Sequence, residues 1–404
     1  MGGATLARGA GVGRVTGARL SQQLRLPQAD GRLLAYTPGP AARFEAPKTP
    51  LRSRVVYAAA HVVCDPLADN LAGTHLDWGA TLAFRHYLWD LGLGVAEAMD
   101  TAQRGMGLDY KATRELIRHT LADARGRGAR VVCGAGTDQL PPGAEVSLAE
   151  VEDAYLEQGG AIEAQGGGVV LMASRHLAAA ATCADDYLRV YDRVLSQLKG
   201  PVVLHWLGEA FDPALRGYWG SADLDEATEI CLNLIQHHAA KIDGVKLSLL
   251  SKEREVALRR RLPADVKMYS GDDFHYDELI FGDEEGYSHA LLGIFDAVAP
   301  AASAAIGALD AGDHERYWRL LAPTVPLSRH IFGSPTYYYK TGIVFLAYLN
   351  GHQTHFRMVG GLENARSVLH LCELFVLADK AGLLRDPEEA SARMRTFLAL
   401  AGVS

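Results

Sequence analysis

Cysteine is scarce in this chain. Its 404 residues include five cysteines, which are Cys64, Cys133, Cys183, Cys231 and Cys372. They lie far apart, and none forms a Cys-x-x-Cys pair or another spacing typical of zinc ligands. The odd number also excludes a framework in which every cysteine is paired. We therefore expect reduced thiols in a cytoplasmic protein.

An excess of positive charge and long apolar runs are also missing. The 40 lysines and arginines are outnumbered by 48 acidic residues, so the basic footprint of a nucleic-acid binder is absent. No apolar run reaches the ~20 residues that a membrane-spanning helix needs. The first 29 residues contain no acidic residue, yet they lack the apolar core of a secretory signal. We expect neither nucleic acid nor membrane as a partner.

What is present is a regular alternation of short apolar runs and helix-like segments. Strand candidates begin near Val55, Gly94, Ala129, Gly168, Pro201, Ile242, Val266 and Tyr287. Helical spacing is evident between many of them, for example over 110–127, 147–158 and 185–198. Such alternation predicts a parallel sheet with right-handed crossovers. Eight repeats predict its closure into an (α/β)8 TIM barrel. The run from Tyr287 leaves a helix open as an alternative.

The same patterns divide the chain into three regions. Residues 1–53 are predicted to form a partly disordered N-terminal extension, in which 1–27 do not pack and 32–36 resemble a strand. Residues 54–300 would form the barrel, and 301–404 a C-terminal helical region. The glycines at 134–136 and 166–168 lack the spacing or position of a dinucleotide fingerprint and predict turns. No cofactor is expected.

Lys246 occupies a short apolar run that reads as a buried strand. Because side chains alternate along a strand, Gly244, Lys246 and Ser248 share one face. Burial lowers the pKa of a lysine and leaves a neutral amine that can attack a carbonyl. The alternative is an ammonium paired with a carboxylate at a strand end. The segment alone leaves both interpretations open.

Polar residues follow nearly every predicted strand. The catalytic groups of such barrels lie where strands end and loops begin. The residues expected there are His61, Asp65, Glu97, Asp100, Thr101, Gln103, Thr137, Asp138, Ser174, Arg175, His176, His205, Trp206, Glu209, Lys246, Ser248, Ser270, Asp272, Asp273 and His275. Four histidines in this set could titrate near neutral pH.

This rim permits three functions. In the first, Lys246 forms a Schiff base with a ketone or aldehyde, and the iminium accepts electrons from a breaking bond. In the second, a metal-dependent sugar or sugar-acid isomerase, dehydratase or hydrolase binds a divalent ion, although no two ligands have a specific spacing. Its candidate ligands are His61, His205, His275, Asp65 and Asp272. In the third, the barrel binds a metabolite or a partner subunit without catalysis.

Five segments in order resemble the dihydrodipicolinate synthase / N-acetylneuraminate lyase family, and in particular a divergent subgroup of unknown function. Gly244-Val245-Lys246 resembles the strand that carries the family's Schiff-base lysine. The others are the run from Pro201 to Trp206, the turn at 134–137, the run from Val266 to Asp272, and the run from Ser334 to Lys340.

The resemblance implies a class I lyase or aldolase with Lys246, His205 and Thr101 as catalytic residues. His205 replaces the family's proton-relaying tyrosine and would have a pKa closer to neutrality. Asp100 stands in the loop that grips the carboxylate of a 2-oxo acid, so a sugar-derived ketone becomes an alternative substrate. The expected substrate-binding residues are Asp100, Gln103, His176, Ser248, Asp272, His275 and His61. The resemblance also implies a homodimer or homotetramer.

Overall fold

The chain begins with a hairpin and continues into a closed ring of strands. A computed structural model describes residues 23–71 and 73–403. Strands β1 (Leu24–Pro27) and β2 (Leu33–Tyr36) pair in antiparallel fashion. Eight parallel strands then close a barrel in chain order, with the last beside the first. They are β3 (Val56–Ala59), β4 (Gly94–Glu97), β5 (Val131–Ala135), β6 (Gly168–Met172), β7 (Val202–Leu207), β8 (Ile242–Ser248), β9 (Lys267–Ser270) and β10 (His289–Leu292). The predicted (α/β)8 barrel is confirmed, and the run after Tyr287 contains a strand.

Helices surround the barrel and continue beyond it. They are α1 (Trp78–Asp90), α2 (Tyr110–Arg127), α3 (Leu148–Ala164), α4 (Arg175–Ala180), α5 (Ala184–Gln197), α6 (Leu224–His237), α7 (Lys252–Arg259), α8 (Tyr276–Phe281), α9 (Ile294–Ala297), α10 (Ala299–Asp310), α11 (His314–Leu321), α12 (Val325–Ile331), α13 (Tyr339–Leu349), α14 (Val368–Lys380) and α15 (Pro387–Leu400). Capping residues explain several of these bounds. Asp109 accepts from the backbone at the start of α2, and Gly128 ends it at φ 63°, a conformation that favours glycine. Across 23–71 and 73–403, no helix combines the length and apolarity that a bilayer crossing requires.

The barrel interior is apolar below its C-terminal mouth. Its small cluster contains Ala59, Ala96, Met99, Val132, Val170, Met172, Val203, Tyr269 and Leu291, all buried. Gly244 makes room for the largest of these, since a Cβ there would lie 2.7 Å from the Tyr269 ring. This buried layer shields a polar group placed above it from solvent on the opposite side of the barrel. That position belongs to Lys246, one alternation further along β8.

The N-terminal segment packs more than its composition predicts. Leu24 and Leu26 are buried in β1, so the expectation that residues up to 27 do not pack is wrong for this part. The period-two apolar pattern and the pairing with β2 explain the burial. The Tyr36 hydroxyl donates to Asp379 in α14 at 2.6 Å. Residues 1–22 of the predicted extension lie outside the described residues, and the three-region division remains a prediction.

Candidate active site

Lys246 lies at the centre of the barrel mouth. In the parallel ladders it is opposite His205 of β7 and Tyr269 of β9. Its side chain is buried, with the residue 7% exposed. Burial lowers the pKa of the Lys246 amine, while Asp100 and Asp273 act in the opposite direction. Among the residues that the structure describes, none forms a hydrogen bond or ion pair with this amine. The structure therefore shows no carboxylate within ion-pair distance of the Lys246 amine among the described residues, as the alternative interpretation would require.

Asp273 supplies an ionisable group close to that amine. It follows β9 and is buried. One carboxylate oxygen, Oδ1, accepts a 2.9 Å hydrogen bond from the backbone of Ile294, the first residue of α9. Burial raises the pKa of Asp273 to about 7, against the opposing effects of this hydrogen bond and of Lys246. At neutral pH the group can both hold and release a proton.

His205 faces the same space from the neighbouring strand. Its Nε2 lies 3.3 Å from the hydroxyl of Ser248, and its Nδ1 has no partner among the described residues. Burial, followed by the Lys246 charge, places the pKa of His205 well below its ordinary value. The expectation of a pKa nearer neutrality is therefore wrong, because the ring is dry and beside a cation. The imidazole is neutral and can exchange hydrogen bonds with Ser248 and a ligand.

Thr101 meets a tyrosine from the C-terminal region. Its hydroxyl lies 2.8 Å from the Tyr339 hydroxyl, and both groups are buried. Gly293 leaves space for this pair, since a Cβ there would lie 3.3 Å from each side chain. Burial and then Asp100 raise the pKa of Tyr339, with smaller contributions from Asp273 and Asp296. Tyr339 was not expected at the site, although the 334–340 run was recognised as a family-like segment.

A second buried lysine also has Asp100 as an electrostatic neighbour. Lys340 contacts the Tyr337 carbonyl and the Met106 sulfur, each at 3.1 Å. Burial lowers the pKa of Lys340 to about 8, although Asp100 favours its charged form. Arg175 pairs with Asp212 at 2.5 Å nearby, and its charge also acts on Lys340. Arg175 was expected at the strand ends, whereas Lys340 was not, because nothing in the local sequence around Lys340 marks it as buried.

Several predicted binding residues are held by the protein itself. The Gln103 amide donates to the Val359 carbonyl at 2.7 Å, and Asp272 accepts from the His275 ring at 3.0 Å. The His176 ring lies between the Thr137 hydroxyl and the Pro141 carbonyl. These contacts satisfy loops and turns. The predicted residues that the structure brings together are Asp100, Thr101, His205, Lys246, Ser248 and Asp273.

His61 belongs to a different environment. Its Nδ1 lies 2.8 Å from the Asp296 carboxylate, whose same oxygen accepts from the His61 backbone at 2.7 Å. The candidate metal ligands therefore do not converge on one site: His61 contacts Asp296, whereas His275 contacts Asp272. Within the described part of the chain, the one group of three ligand-capable side chains within 4.8 Å is Asp192, His237 and His238. That group lies on α5 and at the end of α6, away from the strand ends.

Comparisons with known proteins agree with this architecture. The family model described as "Protein of unknown function (DUF993)" matches residues 24–403. None of the curated proteins compared matches the chain. The predicted resemblance to a divergent subgroup of unknown function is confirmed by this match and by the solved structures below.

Solved structures of the dihydrodipicolinate synthase family share the fold. The enzyme from Aquifex aeolicus superposes with a TM-score of 0.62 at 14% identity, covering 82% of this chain and 99% of its own. A putative family protein from Coccidioides immitis gives 0.60 at 17%, with 83% and 99% covered. YagE, a prophage protein of the family from E. coli K12 solved with pyruvate, gives 0.61 at 13%, with 87% and 99% covered.

Proposed function

This chain belongs to the DUF993 family of proteins of unknown function, and we propose that it is a Schiff-base-forming lyase or aldolase acting through Lys246. The carrying observation is the buried Lys246 amine, which has a lowered pKa, has Asp100 and Asp273 as electrostatic neighbours, and has no hydrogen-bonded partner within residues 23–71 and 73–403. A dry amine is a better nucleophile than an exposed one, because a larger fraction of it is unprotonated at neutral pH.

The first step joins the amine to a ketone. The Lys246 nitrogen attacks the carbonyl carbon, and a proton passes from nitrogen to the carbonyl oxygen to give a carbinolamine. Asp273, whose pKa of about 7 leaves it partly protonated, donates a proton to the carbinolamine hydroxyl. Water leaves as the nitrogen lone pair forms the C=N bond. The resulting carboxylate then stabilises the cationic iminium.

The second step uses the iminium as an electron acceptor. A base removes the proton of a hydroxyl on the β-carbon, and the bond between the α- and β-carbons breaks. Its electron pair enters the iminium, giving an enamine and an aldehyde. Protonation of the enamine carbon and addition of water then release the second product and free Lys246. His205 is neutral and is suited to accept the hydroxyl proton.

His205 stands where the resembled family has a tyrosine, and we propose that Tyr339 supplies the missing phenol from the C-terminal region. Burial and Asp100 raise its pKa and keep it protonated, although the hydrogen bond to Thr101 acts in the opposite direction. It shares Asp100 and Asp273 with Lys246 as electrostatic neighbours. A protonated phenol can donate to a carbonyl oxygen without competing as a base. Thr101 then acts as its positioning residue.

The substrate is proposed to be a hydroxylated, sugar-derived keto compound. Asp100 repels a carboxylate next to the Schiff base, but it can accept hydrogen bonds from substrate hydroxyls. An anionic group further along the substrate would meet Lys340 and Arg175 instead. A simple 2-oxo acid is the second candidate, supported by the pyruvate bound to YagE. A homodimer or homotetramer remains a prediction that light scattering would test.

Borohydride trapping tests the proposal. Purified protein is incubated with dihydroxyacetone, fructose or pyruvate, reduced, digested and mapped by mass spectrometry. We expect an adduct on the Lys246 peptide with at least one ketone, lost in Lys246→Met and kept in Lys380→Met, which changes an exposed lysine. An adduct that persists in Lys246→Met, or none with any ketone, would support a non-catalytic barrel.

A further inference from the structure

A cavity lies outside the ring of strands. Its volume is about 470 Å³, within the range of small-molecule pockets. Segment 42–45 of the N-terminal region forms one side, and we call this space the strap cavity. Its other walls come from α1, α9, α10, α13 and the connection after α14. They include Phe84, Tyr87, Asp296, Asn350, His352 and Arg385. Lys246, Asp100 and Asp273 do not line it.

Asp296 gives the strap cavity an unsatisfied acceptor. The residue is 3% exposed. Its Oδ2 accepts both hydrogen bonds from His61, whereas its Oδ1 is buried without a partner among the described residues. A buried carboxylate oxygen that lacks a donor is unfavourable. A ligand hydroxyl or ammonium group in the cavity would supply that donor.

Two arginines give the strap cavity an anion-binding side. Arg43 comes from the strap, which is segment 42–45, and Arg385 comes from the segment after α14. Neither guanidinium has a hydrogen bond or ion pair to another residue that the structure describes. Glu45, the acidic residue of the strap, pairs with Arg316 at 3.2 Å and leaves both arginines available. Guanidinium groups bind carboxylates and phosphates with paired hydrogen bonds.

The wall between these polar groups is aromatic. The Tyr87 ring lies 4.4 Å from the His352 ring, and the Phe84 ring lies 5.1 Å from it. Both Arg385 and Asp296 act electrostatically on the Tyr87 hydroxyl, so this residue is within electrostatic reach of the cationic side and of the acceptor. Leu346, Ala347 and Pro300 extend the apolar surface. A flat or apolar ligand body fits this wall.

We infer that the strap cavity binds a small metabolite with three features: a carboxylate or phosphate for Arg43 and Arg385, an apolar or aromatic body, and a hydroxyl or ammonium donor for Asp296 Oδ1. Such binding also reaches the barrel mouth. Asp296 is the third residue of α9, and the first residue of that helix, Ile294, holds the Asp273 carboxylate. A ligand that moves α9 would therefore move Asp273.

Calorimetry with the full chain tests the binding. The probes are 4-hydroxybenzoate and 4-hydroxyphenyl phosphate, with neutral 4-methylphenol and cationic tyramine for comparison. We expect the anionic probes to bind more tightly than the other two. Removal of both arginines in Arg43→Ala/Arg385→Ala should lower the affinity for the anionic probes on the order of tenfold or more. The control Arg125→Ala/Arg193→Ala changes two exposed arginines elsewhere and should leave binding unchanged.

A second comparison tests the role of Asp296. The hydroxyl of 4-hydroxybenzoate should increase affinity over benzoate in the wild type, and Asp296→Asn should reduce that difference. If Asp296→Asn does not fold, the two-arginine variant alone decides. Equal affinity in that variant and its control, or no anion binding at millimolar concentration, overturns the inference. Loss of anion binding in Lys246→Met would show that the probes bind at the barrel mouth, and it would also overturn the inference. Failure of ketone trapping would contradict the proposed function but would not affect the strap-cavity inference.

Discussion

Gly271 lies directly against the side chain of Lys246. A Cβ at position 271 would approach Lys246 Cε to 2.9 Å and would also collide with the Ser248 hydroxyl. The Gly271 backbone donates to the Leu247 carbonyl at 2.9 Å, so the glycine cannot withdraw without losing this bond. The conformation of the Lys246 side chain therefore requires a residue without a side chain at position 271, directly after β9.

We predict that Gly271→Ala displaces Lys246 and slows Schiff-base trapping at least tenfold. Overpacking in a filled interior should also lower the free energy of unfolding by ~1–3 kcal/mol. Trapping rates and urea denaturation measure the two effects. Gly126→Ala in α2 is the control, because a Cβ there meets nothing within 4 Å. Wild-type trapping in Gly271→Ala would contradict the tight path.

Tyr339→Phe removes the hydroxyl that contacts Thr101 and keeps the ring. We predict a fall in kcat of roughly 10²-fold, the usual scale for losing a proton donor, with a smaller change in KM. Tyr348→Phe, in the same helix, removes a hydroxyl that contacts the Arg393 carbonyl at 3.4 Å and should leave kcat unchanged. Steady-state kinetics with the substrate identified by trapping measure the difference. An equal effect of both substitutions would mean that Tyr339 supports only the helix.

The Lys246 amine should react at a lower pH than an exposed lysine. Its pKa is lowered by burial, so its neutral fraction rises earlier as pH increases. Asp273 favours the ammonium form, and Asp273→Asn should therefore shift the Lys246 profile to still lower pH. Reductive methylation with formaldehyde, read peptide by peptide, measures this, with Lys380 in the same sample as the exposed reference. Coincident profiles for Lys246 and Lys380 would rule out a dry amine.

Glu255 should make stability depend on pH. Burial raises its pKa from 4.5 to about 8, so the folded state holds a proton that the unfolded state releases above pH 4.5. The resulting contribution is present at low pH and is lost as pH rises towards 8. Glu255→Gln should therefore be more stable than the wild type by roughly 5 kcal/mol at pH 9, and similar to it at pH 4.

Urea denaturation at several pH values measures this effect. Glu284→Gln changes an exposed carboxylate and should follow the wild type throughout. A wild-type stability that stays constant from pH 5 to 9, with Glu255→Gln unchanged relative to it, would show that Glu255 ionises normally in the folded state.

Local patterns predicted the elements well. The helix at 110–127 was expected with the bounds that the structure has, because apolar spacing and terminal residues are encoded within the segment. Burial of β1 was missed, since two leucines in a stretch rich in glycine and arginine form too short a signal. Gln103, Asp272 and His275 were polar residues at strand ends, but their partners are backbone groups and each other, which spacing alone does not reveal.

The amino-acid sequence by itself determined the order of strands and helices, the barrel, and the placement of Lys246 on an interior strand face. These follow from periodicities of two and 3.6 residues, which are local properties. Only the tertiary structure decided that Tyr339 accompanies Lys246, that burial keeps the resting His205 ring neutral, and that His61 turns to Asp296. The physical reason is that desolvation and electrostatic neighbours depend on closure of the ring and on docking of the C-terminal helices, which bring distant segments together.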